Sequence, residues 1–292
     1  MELTSQQVSF FKTFGYVVLP KLFTQSEVSD ITVDFEKVLD NDRRGEKFRG
    51  DKRQAVLAFA EKTETLRSLV SDDRIFLPMR QLLGDGFVWV GSDGNLYVGD
   101  TAWHADADDD VGLKRIKVAM YLDPVTKDSG CLRVIPGSHE NPLHNRLRPL
   151  RYWRIKQAVS EGRGSVEDER KFLEELGLSL DEDEAIFGVN PEDLPAAPLE
   201  SEPGDVVMFN QYCFHSAFGG KTGRRMFTMN FAESPRTKSH SDYFRNLYEG
   251  RSQIRKALQY TDDEKDHEDD FLYSKDPRVQ GMLAKLKELN LT

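Results

Sequence analysis

Three residues far apart in this chain carry side chains suited to one metal ion: His104, Asp106 and His215. His104 and Asp106 stand two apart in Trp103-His104-Ala105-Asp106. On an extended strand, residues at that spacing point to the same side and reach one ion together. Alone the pair says little, because six histidines in an Asp-rich chain make a chance His-x-Asp common. The acidic run Asp106–Asp110 fits a solvated loop equally well. His215 adds to the pattern by following the strand-like run Asp205–Asn210, which the turn Glu202-Pro203-Gly204 introduces.

Two histidines and one carboxylate on one side of iron form a facial triad, which leaves positions open for a co-substrate and dioxygen. A co-substrate such as 2-oxoglutarate chelates iron through its keto acid end, and its far carboxylate then needs a fixed cation. Arginine suits that role because its guanidinium binds a carboxylate through two parallel hydrogen bonds. Nine residues after His215, Arg224 opens another strand-like run, Arg224–Phe231. Alternation puts Arg224 on one face with Met226, Thr228 and Asn230. Arg225 shares the other face with Phe227, Met229 and Phe231, which covering helices would bury, so Arg224 is expected to point inward. The same ligands could instead hold zinc with a bound water for hydrolysis, which gives Arg224 no role. A metal-binding protein of this shape without oxygenase activity is a further alternative. Cys213-x-His215 could also share a metal, but no second cysteine pair supports a zinc site.

The elements that must position these residues are legible in part. Thr4 and Gln7 have the spacing of a capping box, so a helix begins there, with Val8, Phe11 and Phe10 as its apolar stripe and Gly15 as its end. Tyr16–Leu19 reads as a short strand stopped by Pro20. A second helix is expected from Ser26 to Leu39, with Val28, Ile31, Phe35 and Val38 at helical spacing. Residues 41–54 read as loop. Strand-like runs follow at Phe87–Val90, Asn95–Val98, Arg115–Leu122 and Cys131–Ile135, then at Ala196–Glu200 beyond the insertion. Residues 140–194 read as a polar, lid-like insertion with helical patterns near 150–159 and 166–176, and residues 242–292 as a helical C-terminal segment. Helices, then many short strands, then helices again imply a mainly β fold with flanking helices, a β-sandwich or jelly roll, in a single domain over 1–292.

With 38% hydrophobic and 31% charged residues, the composition is that of a globular protein with its own core. The net charge of −10 disfavours nucleic acid and anionic lipid as partners. No apolar run approaches the roughly 18 residues of a membrane span, and the N-terminal residues do not have the pattern of a signal peptide. Cys131 and Cys213 are expected to be reduced thiols, and the protein cytoplasmic.

Several blocks, taken in order, resemble the phytanoyl-CoA dioxygenase family. LTSQQVSFFKTFGYVVLPKLFTQSEV is similar to the family's N-terminal helix, strand and second helix, and WHAD to its His-x-Asp motif. VAMYLDPVTKDSGCLRVIPGSH resembles the stretch leading to the family's most recognisable turn. EPGDVVMFNQYCFHSA and GRRMFTMNFAE resemble its distal histidine and arginine strands. The resemblance implies a double-stranded β-helix (cupin-like jelly roll) and a dioxygenase using Fe(II), 2-oxoglutarate and O2 to oxidise an unactivated C–H bond of a small molecule. Carried over by position, His104, Asp106 and His215 are the iron ligands and Arg224 takes the 2-oxoglutarate carboxylate. Where the family often has a hydroxyl residue two positions after the distal histidine, this chain has Ala217, so Asn95 and Tyr97 are the candidates for the second carboxylate partner. Related halogenases replace the carboxylate ligand; its presence as Asp106 favours hydroxylation, with cyclisation, desaturation and epimerisation as alternatives on the same triad.

Other residues have two readings each. The cluster Arg146, Arg148, Arg151, Arg154 and Lys156 is either a site for an anionic substrate group or a solvated face paired with the acidic stretch 181–184. Lys117 either faces solvent or points into the barrel. His139 is read as structural, His144, His240 and His267 as surface residues, and Trp103 as core.

Overall fold

The computed structural model describes residues 1–160, 162, 164–176, 191–257 and 266–292, the backbone alone at 252–257. Its first elements follow from local chemistry. Helix α1 (Ser5–Phe14) opens on the expected capping box: Thr4 Oγ1 accepts from the Gln7 backbone N–H at 3.1 Å, and the Gln7 side chain accepts from the Thr4 N–H at 2.9 Å. Gly15 closes it with φ of 83°, a conformation that favours glycine. Strand β1 (Tyr16–Leu19) follows at once. A second capping box, Thr24 with Glu27, opens α2 (Gln25–Asp42), where Val28, Ile31, Phe35 and Val38 are all buried.

Among the described residues the strands form two antiparallel sheets. The larger runs β1, β8 (Val206–Asn210), β5 (Arg115–Tyr121), β10 (Arg224–Ala232), β3 (Val88–Tyr97), β2 (Gln54–Leu57). The smaller runs β4 (Thr101–His104), β9 (His215–Ala217), β6 (Leu132–Val134), β7 (Ala197–Leu199). Their inner faces meet in one cluster that joins Ala119, Tyr121, Val207 and Met226 to Leu132, Val134 and Leu199. This is the expected jelly roll, a double-stranded β-helix with flanking helices.

Alternation along β10 sorts its residues as the sequence implies. Phe227, Met229 and Phe231 lie on the outer face, in the main core with Phe35, Phe59 and Trp89. Helix α9 (Pro277–Glu288) adds Val279, Met282, Leu283 and Leu286 to that core. Helix α8 (Lys238–Ala257) adds Phe244 and Tyr248.

Two parts of the fold depart from the sequence reading. The runs at 87–90 and 95–98 are one continuous strand, although Ser92-Asp93-Gly94-Asn95 has the composition of a turn. Gly94 is there because the Phe59 ring lies on it: a Cβ would stand 2.1 Å from Phe59 Cδ2. The stretch before it, left unassigned, forms β2, α3 (Glu64–Ser71) and α4 (Asp73–Leu83).

The insertion carries α5 (Leu143–Leu147), α6 (Arg151–Ser160) and α7 (Val166–Leu176). Trp103 of β4 is fully buried with Leu150, Phe214 and Phe218, and its indole N–H donates to the Pro191 carbonyl at 2.7 Å. Helix α6 lies beside the strand that carries His104. The acidic stretch 181–184 lies outside the described residues. Among those described, no helix is long and apolar enough to cross a membrane.

Candidate metal centre

Strands β4 and β9 pair so that His104 stands opposite His215, with ring centroids 4.2 Å apart. β4 ends at His104, and Asp106 sits at a bend just beyond it, not on the strand itself. The bend is fixed by the Ala107 N–H, which donates to the Gln211 carbonyl at 3.0 Å. Asp106 Oδ1 lies 3.7 Å from His104 Nε2, and Oδ2 lies 3.6 Å from His215 Nε2. One ligand atom from each of the three residues falls within 4.8 Å of the others. Ligands about 2 Å from a shared ion stand roughly 3–4 Å apart, so the group has the dimensions of a metal site.

The tautomers are set by the backbone. His104 Nδ1 lies 2.9 Å from the Ala102 carbonyl, and His215 Nδ1 lies 2.9 Å from the Cys213 carbonyl. A carbonyl can only accept, so both Nδ1 atoms carry the proton and both Nε2 lone pairs are free to bind a metal. Burial, more than any other cause, pulls both histidines below the usual imidazole range. Each imidazole is thereby kept neutral, the form that ligates.

Asp106 behaves oppositely. Burial would raise its pKa, but the Lys117 ammonium beside it outweighs that and holds the carboxyl below the usual range. Lys117 Nζ lies 2.7 Å from Asp106 Oδ2. Of the two readings for Lys117, the structure takes the inward one.

Within the acidic run, Asp110 is exposed, but Asp108 and Asp109 are engaged by partners. Asp108 pairs with Arg151 and, at 3.2 Å, with His144 Nε2. Asp109 pairs with Arg115 at 2.6 Å and accepts from the Tyr212 hydroxyl at 2.8 Å. His144 is therefore buried and not a surface residue. So is His267, bonded to Glu61 and Tyr248. From α6, Gln157 accepts from the Ala102 N–H and donates to the Asp100 carbonyl, so the insertion is fastened to the start of the ligand strand. Cys213 is turned away from the metal group, with Sγ 3.5 Å from the Gly15 carbonyl; both cysteines are free and buried.

Arg224 opens β10 opposite Tyr97 of β3, on the inner face, and is 5% exposed. Its Cζ lies 5.2 Å from the Tyr97 ring centroid. Nε and Nη1 are buried without a hydrogen-bond partner among the described residues. A buried guanidinium is costly to leave so, and these donors fit a carboxylate. Gly130 and Gly220 press on it: a Cβ would stand 2.0 Å and 1.5 Å from Nη1. Arg225 points the other way, to Asp123 at 2.5 Å and Glu36 of α2 at 3.0 Å. Tyr97 thus lies beside Arg224. The Asn95 amide is engaged elsewhere, accepting from Arg53 and donating to Asp93. Ser216 Oγ is buried with no hydrogen-bond partner among the described residues.

The sequence reading missed Gln157 and the buried role of His144. Neither carries a local signal, because both act through contacts made only in the folded chain.

The family model described as Phytanoyl-CoA dioxygenase (PhyH) matches residues 11–227. No curated protein matches the chain. Among solved structures, the chain is similar to the non-heme alpha ketoglutarate dependent carbocyclase SnoK from nogalamycin biosynthesis, at 21% identity and TM-score 0.53, over 80% of this chain and 85% of that one. It is similar to HygX from Streptomyces hygroscopicus with nickel and 2-oxoglutarate bound, at 18% identity and TM-score 0.53, over 82% and 90%. EctD from S. alaskensis with bound Fe gives 18% identity and TM-score 0.53, over 80% and 77%. At these identities, what is shared is the fold.

Proposed function

The chain belongs to the phytanoyl-CoA dioxygenase family, and from that premise we propose that it is an Fe(II)- and 2-oxoglutarate-dependent dioxygenase that hydroxylates an unactivated C–H bond of a small molecule. The observation that carries this reading is the convergence of two Nε2 lone pairs and one carboxylate within 4.8 Å. His104, Asp106 and His215 hold the iron. Arg224 receives the far carboxylate of 2-oxoglutarate, which is supported by its two unpartnered nitrogens. Tyr97 flanks that guanidinium, with Tyr121 of the neighbouring strand also near it.

Bound iron supplies the activation of dioxygen that oxidises the substrate while 2-oxoglutarate is split to succinate and carbon dioxide. The chain's own residues orient and enclose. The strand carbonyls at 102 and 213 keep the imidazoles aimed, and α6 covers the ligand strand through Gln157. An anionic substrate group is supported by Arg154, whose charge helps keep His104 and His215 neutral. The two buried free thiols suit a cytoplasmic protein.

Likeness to a carbocyclase gives a second reading, oxidative cyclisation, some weight. Screening small molecules for substrate-dependent succinate release tests the proposal. Release should vanish in His104→Ala and Asp106→Ala, and full activity in either variant would refute it. Labelled dioxygen then separates the outcomes: hydroxylation puts one labelled oxygen into the product, whereas cyclisation removes two hydrogens and adds no oxygen. A zinc hydrolase would keep its activity without oxygen.

A further inference from the structure

Lys117 has no part in the function proposed above, yet its position is unusual for a strand lysine. It lies on the inner face of β5, opposite Phe209 of β8 and Asn230 of β10, with its side chain 19% exposed. Its strand neighbours Ile116 and Val118 belong to the outer core. An ammonium inside a barrel needs a compensating charge. Among the described residues, the one in contact with it is the Asp106 carboxylate, 2.7 Å away through Oδ2.

We propose that Lys117 is a positioning residue for the metal centre: it occupies Oδ2 of Asp106 and so confines that carboxylate to one bond to iron, through Oδ1. This rests on the ligand assignment made above. A carboxylate can bind a metal through one oxygen or two. Around octahedral iron, two imidazoles and one carboxylate oxygen take three positions and a keto acid chelate takes two. One position then remains. A carboxylate bound through both oxygens would fill it, and the site would have no room for dioxygen. Oδ1 lies 3.7 Å from His104 Nε2 and Oδ2 3.6 Å from His215 Nε2, so both oxygens face the imidazoles; the lysine, 2.7 Å from Oδ2, is what distinguishes them and leaves Oδ1 for the metal. Lysine suits the position because its long stem crosses from β5 to the bend at Asp106, where a shorter donor stops short.

Manganese(II) tests this without turnover, since its relaxation of bulk water reports how many exchangeable waters it holds. In the full-length protein with manganese(II) and 2-oxoglutarate, the wild type should keep one fast-exchanging water. Lys117→Met should lose it, and the relaxivity per bound ion should fall clearly below the wild-type value. Lys117→Arg, which keeps a cation on a long stem, should retain the wild-type value; Lys117→Gln, too short to reach, should follow Lys117→Met and replaces it if that variant does not fold. Equal relaxivity in the wild type and in Lys117→Met or Lys117→Gln overturns the proposal, as does failure of Lys117→Arg to restore it. The ligand assignment fails separately: in that case His215→Ala would bind manganese(II) as tightly as the wild type.

Discussion

Arg224 and Tyr97 stand directly opposite each other in the β10–β3 register, with the guanidinium carbon 5.2 Å from the ring centroid. The neighbouring arginine, one residue on, lies on the far side of the same sheet and is paired there with Asp123 and Glu36. Two adjacent arginines therefore have opposite duties, and each duty can be measured.

Replacing Arg224 with Gln should raise the 2-oxoglutarate concentration needed for half-saturation roughly ten- to hundredfold, because a hydrogen bond to a charged group is worth about 1.5–3 kcal/mol. Metal affinity should stay unchanged. Titrations of 2-oxoglutarate and of metal, done separately on the variant, check both halves.

For Arg225→Ala the expectation is reversed. Its partners are partly exposed, so the loss of stability should be about 1 kcal/mol or less, read as a small fall in melting temperature. Affinity for 2-oxoglutarate should not change.

Glu61 is fully buried and accepts from Trp89 Nε1 at 2.7 Å, His267 Nδ1 at 2.9 Å and the Glu268 backbone at 2.8 Å. Glu61→Ala leaves those donors unpaired on the outer side of the larger sheet. It should cost about 3–5 kcal/mol in urea unfolding, while a loss below about 1 kcal/mol would contradict this account of the network.

His144 donates through Nδ1 to the Ser138 and Tyr212 carbonyls, each at 3.0 Å, and faces Asp108 through Nε2. The hydrogen bond to Asp108 is the main cause that raises its pKa, against burial. A raised folded pKa means the stabilisation is fully present below the ordinary histidine value and is lost as pH climbs through the folded one. The melting-temperature gap between wild type and His144→Gln should therefore be wide at acidic pH and narrow in mildly alkaline buffer. A gap independent of pH would count against the charged pair.

Much of this architecture was legible in the residues alone. The Thr4–Gln7 capping box, the 3.6-residue spacing in α2 and the two-residue alternation in β10 are local patterns, and each element formed where its pattern stood. Gly94 misled because its reason is a ring 35 residues earlier in the chain, Phe59, pressing on the strand from outside. The spacing of His104 and Asp106 pointed to the pair, but a strand was expected where the chain bends. The inward turn of Lys117 and the burial of His144 and His267 come from partners that folding alone brings near, so polar surroundings in sequence gave the wrong exposure for both histidines.

The central claim is that residues 104, 106 and 215 hold iron with 2-oxoglutarate chelated to it. Anaerobic addition of Fe(II) and then 2-oxoglutarate, followed by visible absorption, addresses it most directly. A charge-transfer band should grow in the wild type and be absent in His215→Ala. A wild-type protein that binds iron but develops no band, or a His215→Ala variant that develops the full band, would contradict the account.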